Sequence, residues 1–475
     1  MNSEMGLRPL LLLPEILLFV GGVACLIVGS FLSRRRQWLT RVVAAAALLG
    51  CIVAASIELA RPAQTAFEGS FGVDTGTGIA RSIAAIATLL VLALATDEIA
   101  GSPRESETYA LLLFSATGTL VLAGADDLLV LATGFLLTSI PLYGLVGLAR
   151  TPKSAEAAMK TYLLGALFGI LLLLGVTILY GIAGTTAYAE LDEGLASAPA
   201  AATAAGLVAV LAGLMFKAGG VPAHFWVPDA AQAASGTVAT FLTTVPKIGA
   251  IVAAYRLVTA LPDNVGWPLL VAILAAASMS LGNLAAYWQQ DPRRMLGWST
   301  VSQVGFLLVP VSVAGHSDLA LPSMLYYLAG YTVTNVAAFA VTTALPGHRD
   351  LASYRGLASS HPWLAGSLVV ALLGLVGTPP TAVFIGKLTT ATAAWDGGQA
   401  WLVVVVFANS LASLFYYLRW IVPIYRIGTA ENIPTPRFTP SPWSTRAAIA
   451  ASAATLLLGV AAGVVWKVAD GVLIR

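Results

Sequence analysis

The chain has little charge, almost no cysteine and no excess of either sign. Only 10% of its 475 residues are Asp, Glu, Lys or Arg, against about 25% in an average soluble domain. Hydrophobic residues make up 58% and mean hydropathy is +0.85, so a water-soluble globule is excluded. With 25 cations and 23 carboxylates the net charge is +2, which offers no basic field for nucleic acid. The two cysteines, Cys25 and Cys51, both fall in apolar stretches. No disulfide framework, zinc site or iron–sulfur ligand set can be built from them, so any redox chemistry belongs to other subunits.

What is present is a succession of apolar stretches, each near the roughly 20 residues that a helix needs to cross a bilayer. Fourteen are expected, at residues 10–32, 37–59, 78–96, 108–124, 128–149, 159–183, 204–226, 237–261, 267–290, 297–314, 321–345, 363–393, 401–426 and 446–470. The pattern predicts an all-α polytopic membrane protein. The first stretch holds Glu15 and ends in Arg34, Arg35 and Arg36, a stop-transfer arrangement rather than a cleavable signal.

Loop charge sets the direction, because Lys and Arg flanking the spans are retained on the cytoplasmic side. The loops after stretches 1, 3, 5, 9, 11 and 13, with their flanks, hold sixteen of the 25 cations, Arg437 among them. The opposite side holds Arg8, Arg61, Arg81, Lys467 and Arg475. Both termini are therefore expected on the non-cytoplasmic side. Lys217, Lys247, Arg256 and Lys387 remain inside the stretches. Arg256 is close enough to an end to snorkel. A cation at a helix centre costs about 2.5–3.5 kcal/mol and persists where it lines an ion path or holds a partner.

Two of the lysines lie beside interruptions. Lys217 is followed by Gly219, Gly220 and Pro222. Pro222 lacks an N–H and clashes with the carbonyl of residue 218, leaving that oxygen to water or a side chain. Lys387 follows Gly377, Pro379 and Pro380 in a stretch too long for one straight span. Corresponding interruptions in two halves of a membrane chain point to repeated transporter architecture with a site near the midplane. Lys247 follows Pro246, Thr243 and Thr244, a setting that can link Lys217 to an exit. Burial penalises an ammonium and a nearby carboxylate supports it, so moving charge or water lets such a group load and release a proton. The plainer alternative, that each lysine neutralises a freed carbonyl or a partner charge, stays open.

His224, two residues after Pro222, is placed either to relay protons near neutral pH or to bond a freed carbonyl. His316, His348 and His361 fall in loops and are expected to be solvated. The GxxxG spacings at Gly165 and Gly169, and at Gly459 and Gly463, read as helix packing. The acidic loop with Glu190, Asp192 and Glu193 reads as a solvated face.

Phe216-Lys217 followed by Val221-Pro222-Ala-His224-Phe-Trp226-Val-Pro228-Asp229 resembles the antiporter-like membrane subunits of respiratory complex I, most of all the subunit N family of bacterial NADH-quinone oxidoreductases. Pro14-Glu15, Ser139-Ile-Pro141-Leu-Tyr-Gly144, Thr244-Val-Pro-Lys247, Arg293-Arg294-Met-Leu-Gly-Trp-Ser299 and Gly377-Thr-Pro379-Pro380-Thr-Ala-Val-Phe-Ile-Gly386-Lys387 add to the likeness. The resemblance implies about fourteen transmembrane helices with two inverted five-helix repeats and discontinuous helices 7 and 12. It divides the chain into 1–107 (helices 1 to 3), 108–261 (helices 4 to 8), 262–426 (helices 9 to 13) and 427–475, a cytoplasmic linker with helix 14.

By motif position, Lys217 is implied as the central protonatable lysine of the first half, Lys247 as the connecting lysine and Lys387 as the lysine of the second half. Lys160 falls on a further lysine of the family. The implied activity is proton translocation across the bacterial cytoplasmic membrane, coupled to electron transfer from NADH to quinone elsewhere in the complex. No cofactor is implied in this chain; NADH, FMN, iron–sulfur clusters and quinone would sit in partner subunits. Its partners would be other membrane subunits of the complex, through them the peripheral redox arm, and the lipid bilayer. Two positions depart from the family pattern. Leu136 stands where a helix-5 glutamate is usual, with Asp126 and Asp127 the nearest carboxylates near the helix start, and Gln303 stands where a histidine is common. Rival readings are a subunit of a multisubunit sodium/proton antiporter or membrane-bound hydrogenase, or a non-pumping scaffold.

Overall fold

The structure, a computed structural model, describes residues 7–262, 265–426 and 439–474. Arg437, Arg475 and residues 427–438 of the expected linker lie outside the described residues. Helices α1 (Leu13–Phe31), α2 (Trp38–Leu59), α3 (Thr75–Glu98), α4 (Glu105–Gly124), α5 (Leu128–Gly147) and α6 (Pro152–Ala183) come first. They are followed by α7 (Tyr188–Ala196), α8 (Ala200–Ala218), α9 (Trp226–Ala233), α10 (Gly236–Thr259), α11 (Trp267–Ala286), α12 (Pro292–Val311) and α13 (Ala320–Ala344). The rest are α14 (Leu357–Ser360), α15 (Pro362–Val376), α16 (Ala382–Asp396), α17 (Ala400–Tyr425), α18 (Pro442–Val460) and α19 (Ala462–Ala469).

Short polar side chains start many of these helices by accepting from otherwise unpaired N–H groups. Asp74 accepts from Thr77 N, Asp127 from Leu129 N and Val130 N, and Asp291 from Arg294 N. Thr151 and Ser154 exchange bonds in a capping box that opens α6 behind Pro152. Glycine in the left-handed region ends α6 at Gly184.

Among the described residues, twelve helices are long and apolar enough to cross a membrane. Two of the expected stretches take another form. The tenth, α12, is long enough but too polar, carrying Arg293, Arg294, Thr300, Ser302 and Gln303. The twelfth is divided into the 15-residue helices α15 and α16. A two-stranded hairpin, β1 (Gln64–Ala66) with β2 (Phe71–Val73), joins α2 to α3, with Ala66 opposite Phe71. Strands of three residues are too short for their alternation to show in the sequence.

The polarity of the bundle is inverted relative to a soluble protein. The most hydroxyl-rich helices are inside: α10 is buried along its apolar window and α13 nearly so, whereas α1, α2, α6, α17 and α18 bury about a third of theirs. Leu167, Ile170, Val404 and Leu411 stand exposed on the outer helices, as lipid requires. Gly459 has its Cα where an added Cβ would lie 1.9 Å from Pro380 O, so α18 presses on the interruption between α15 and α16. Gly165 meets the Tyr143 hydroxyl in the same way, but Gly463 has open space around it and does not pack. Glu190, Asp192 and Glu193 are exposed on the outer face of α7, whose Tyr188, Leu191 and Leu195 point inward.

Two arginines differ from expectation. Arg81 is not a loop cation: it is fully buried in α3, with Nε and Nη2 each 2.8 Å from Glu15 and Nη1 2.5 Å from Glu58. Arg256 does not snorkel. Its Nη2 lies 2.6 Å from both oxygens of Asp74, its Nε donates to Ala123 O at 2.8 Å and its Nη1 is 3.5 Å from Asp126. Carboxylates that satisfy a guanidinium inside the bundle remove the reason for it to reach water.

Candidate functional site

The interruptions build the site. At the end of α8, Gly219 adopts φ +81° and its N–H, with that of Gly220, bonds back to Met215 O. At the end of α15, Gly377 adopts φ +90°, and Gly377 N–H and Thr378 N–H bond back to Leu373 O. Only glycine takes this conformation without strain, and its missing Cβ has a second use. A Cβ on Gly219 would lie 3.0 Å from Lys247 Nζ, and one on Gly377 would lie 3.0 Å from Lys387 Cδ. Each turn thus opens a berth for a lysine.

The lysines occupy these berths. Lys247, from α10, donates to Ala218 O at 2.7 Å, the carbonyl that Pro222 was expected to free. Lys387, from α16, donates to Leu375 O at 3.1 Å and Val376 O at 2.9 Å, and its Nζ stands 3.9 Å over the Phe306 ring. Lys217, on the last turn of α8, has no hydrogen-bond partner among the described residues and faces the Phe135 ring at 5.3 Å. Lys217 and Lys247 are 0% exposed and Lys387 5%, and none of the three forms an ion pair among the described residues. A buried polar group without a protein partner calls for water.

Between the two berths runs a row of polar groups that the sequence reading did not assemble. Tyr331 donates to Thr243 O at 2.8 Å and contacts Thr300 Oγ1 at 3.3 Å. Gln303 donates to Leu375 O at 2.9 Å, the same oxygen that Lys387 holds, and accepts from the Tyr327 hydroxyl at 2.6 Å. Ser299 and Tyr417 share a further bond beside it. The signal was available: α12 and α13 are the helices where hydroxyls recur within otherwise apolar runs.

The remaining expected residues lie around this row. His224 is buried in the connector between α8 and α9, its ring tilted against Phe225 at 4.2 Å and Trp298 at 5.5 Å. Lys160 stands apart, 48% exposed, in contact with Glu156 at 2.7 Å and Asp229 at 3.0 Å. Asp229 also takes Arg294 at 2.5 Å. Leu136 is 41% exposed on the outer face of α5, while its neighbour Phe135 is the ring beneath Lys217. Asp126 and Asp127 are engaged elsewhere, Asp126 with Arg256 and Asp127 with the start of α5 and Thr186.

The family described as NADH:quinone oxidoreductase/Mrp antiporter, TM, matches residues 125–413. The chain is 65% identical over 471 residues to an NADH-quinone oxidoreductase subunit N of Mycobacterium sp. (strain JLS), covering 98% of this chain and 99% of that protein. The chain belongs to the NADH-quinone oxidoreductase subunit N family. A Streptomyces griseus member, subunit N 1, is 51% identical over 467 residues, 98% of either chain. Among solved structures, a chain of respiratory complex I from Thermus thermophilus with bound aureothin is 29% identical with a TM-score of 0.81, covering 97% of this chain and all of that one. A chain of the Mrp complex from Dietzia sp. DQ12-45-1b superposes with a TM-score of 0.82 at 23% identity over 97% of this chain and 96% of that one, a likeness of fold. Membership in the subunit N family favours the oxidoreductase reading over the antiporter and hydrogenase readings.

Proposed function

We propose that this chain carries protons across the bacterial cytoplasmic membrane as a membrane subunit of a respiratory NADH-quinone oxidoreductase. Electron transfer from NADH to quinone in partner subunits, which hold the flavin and iron–sulfur clusters, supplies the drive. One observation carries the reading: three ammonium groups lie buried at disrupted backbone against carbonyls and aromatic faces, and no carboxylate among the described residues locks any of them. An ammonium held by a neutral acceptor can give up its proton and take it back, whereas a salt-bridged one is fixed by its counter-ion.

In this reading Lys217 is the central protonatable lysine of the first half and shares the proton with Lys247, which connects it to the row of Thr243, Tyr331, Thr300 and Gln303, and Lys387 passes it on, with His224 beside the first interruption. Lys160 acts from the surface through Asp229. Like features in the two halves support the division into repeats 108–261 and 262–426. An added Cβ on Gly118 would lie 2.2 Å from Thr138 N, and one on Gly282 would lie 2.4 Å from Ser302 N, so α4 with α5 and α11 with α12 make the same close approach. The orientation of loop cations supports placing both termini outside the cytoplasm.

Replacing Lys217 by Met keeps the aliphatic volume and removes the titrating group. The K217M complex is expected to assemble and oxidise NADH while moving fewer protons per electron in proteoliposomes. An assembled variant with unchanged stoichiometry contradicts the proton-carrying reading, in which Lys217 holds the proton.

A further inference from the structure

Glu98 closes α3 and lies outside both proposed repeats. It lines two cavities on the face where the loop cations gather. One, of about 210 Å³, also meets Arg104 and Arg150; the other, of about 640 Å³, meets Lys153, Arg293 and Arg349. The carboxylate spans the wall between the cavities and the buried bundle, because its two oxygens accept from Gly236 N–H and Thr237 N–H at 2.8 Å each. These are the first residues of α10.

From that point α10 carries Thr237, Thr240, Thr244 and Lys247, all 0% exposed. Steps of three and four residues put them on one helix face, rising about 15 Å from Thr237 to Lys247. Thr237 Oγ1 is buried with no hydrogen-bond partner among the described residues. Thr240 Oγ1 donates to Gly236 O at 2.8 Å and Thr244 Oγ1 to Thr240 O at 2.6 Å. Each of these hydroxyls retains lone pairs that accept from water. The stripe ends at Lys247 Nζ, 2.7 Å from Ala218 O in the residue next to Lys217.

We infer that Glu98 is the carboxylate through which protons enter this chain, handing them along the Thr237, Thr240 and Thr244 stripe to Lys247. The inference rests on the proton-carrying reading above. The Glu98 carboxylate takes a proton from cavity water and passes it to water beside Thr237. Each hydroxyl or water along the stripe accepts one proton and releases another, so it ends unchanged. The amine of Lys247 takes up the last proton. The competing explanation is that Glu98 only caps α10, and a cap needs an acceptor, not a titrating group.

Glu98→Gln keeps an acceptor oxygen and loses the exchangeable proton, and Thr237→Val keeps the N–H and loses the hydroxyl. In proteoliposomes of the whole complex, the initial rate of membrane-potential formation is expected to fall by roughly a hundredfold or more in E98Q, with hexacyanoferrate reduction by NADH unchanged. Imidazole buffer added on the side of the cavities restores the E98Q rate, since a diffusible acid replaces the missing group and cannot replace a cap. Thr237→Ser retains the rate that Thr237→Val loses, so the threonine pair decides if E98Q fails to assemble. Wild-type rates in both E98Q and T237V, or an E98Q deficit that imidazole leaves untouched, overturn the inference. The K217M complex, run alongside, separates the two levels. If K217M is defective while E98Q and T237V pump normally, only the entrance is overturned; if K217M pumps normally, the reading beneath it falls as well.

Discussion

At the scale of single residues the chain sorts its buried charges into two kinds. Arg81 and Arg256 are bound by carboxylates, whereas Lys217, Lys247 and Lys387 form no ion pair among the described residues. Asp126 marks the border between the kinds. It lies between α4 and α5, outside the spans, where Arg256 spends its closest bonds on Asp74. Burial pushes the Asp126 carboxyl up from 3.8 to about 6, against the pull of Arg256 and with repulsion from Asp74 adding to the rise. The folded chain therefore binds this proton more tightly than the unfolded one. Its contribution to stability is fully present below 3.8 and is lost as pH rises through about 6. Asp126→Asn should remove that portion of the pH dependence of the thermal midpoint, and identical profiles for both proteins across this window would contradict the assignment. The lysines were legible in the sequence because one cation in an apolar run is conspicuous by itself. The arginines were not, because their partners are remote: Asp74 is 182 positions from Arg256, and Glu15 is 66 from Arg81.

At the scale of elements, glycine and proline announced both interruptions, and the structure puts a left-handed glycine at each. What the sequence did not show is which lysine serves which carbonyl, since Lys247 reaches Ala218 from another helix. The stretch at α12 has the length of a span but is too polar to pass as one by composition, because Thr300 and Gln303 face neighbouring helices. The first three helices are joined by side chains rather than by apolar contact alone. Arg81 on α3 holds Glu15 of α1 and Glu58 of α2, and also donates to Leu11 O at 3.0 Å. Arg81→Met leaves two buried carboxylates without a cation, a change expected to cost about 3–5 kcal/mol. Less assembled complex should survive heating in detergent, and adding Glu15→Gln and Glu58→Gln should recover much of the loss. An R81M complex as heat-resistant as the unmodified one would show that the three helices are joined some other way.

At the scale of the whole molecule, the fold is a lipid-facing shell around a polar axis. Apolar α1, α2, α6, α17 and α18 meet the surroundings, and α10, α12 and α13 carry hydroxyls, amides and lysines through the interior. An axis of this kind is stable only if its unpaired atoms are hydrated, and Lys217 Nζ, Thr237 Oγ1, Ser302 Oγ and Thr390 Oγ1 all lack protein partners among the described residues. The density of ordered solvent in the assembled complex, mapped at a resolution that distinguishes single water molecules, is the most direct measurement. Waters are expected at Lys217 Nζ and in an unbroken file through Lys247, Gln303 and Lys387. Anhydrous surroundings with each ammonium clamped to a fixed anion would contradict the proton-carrying axis.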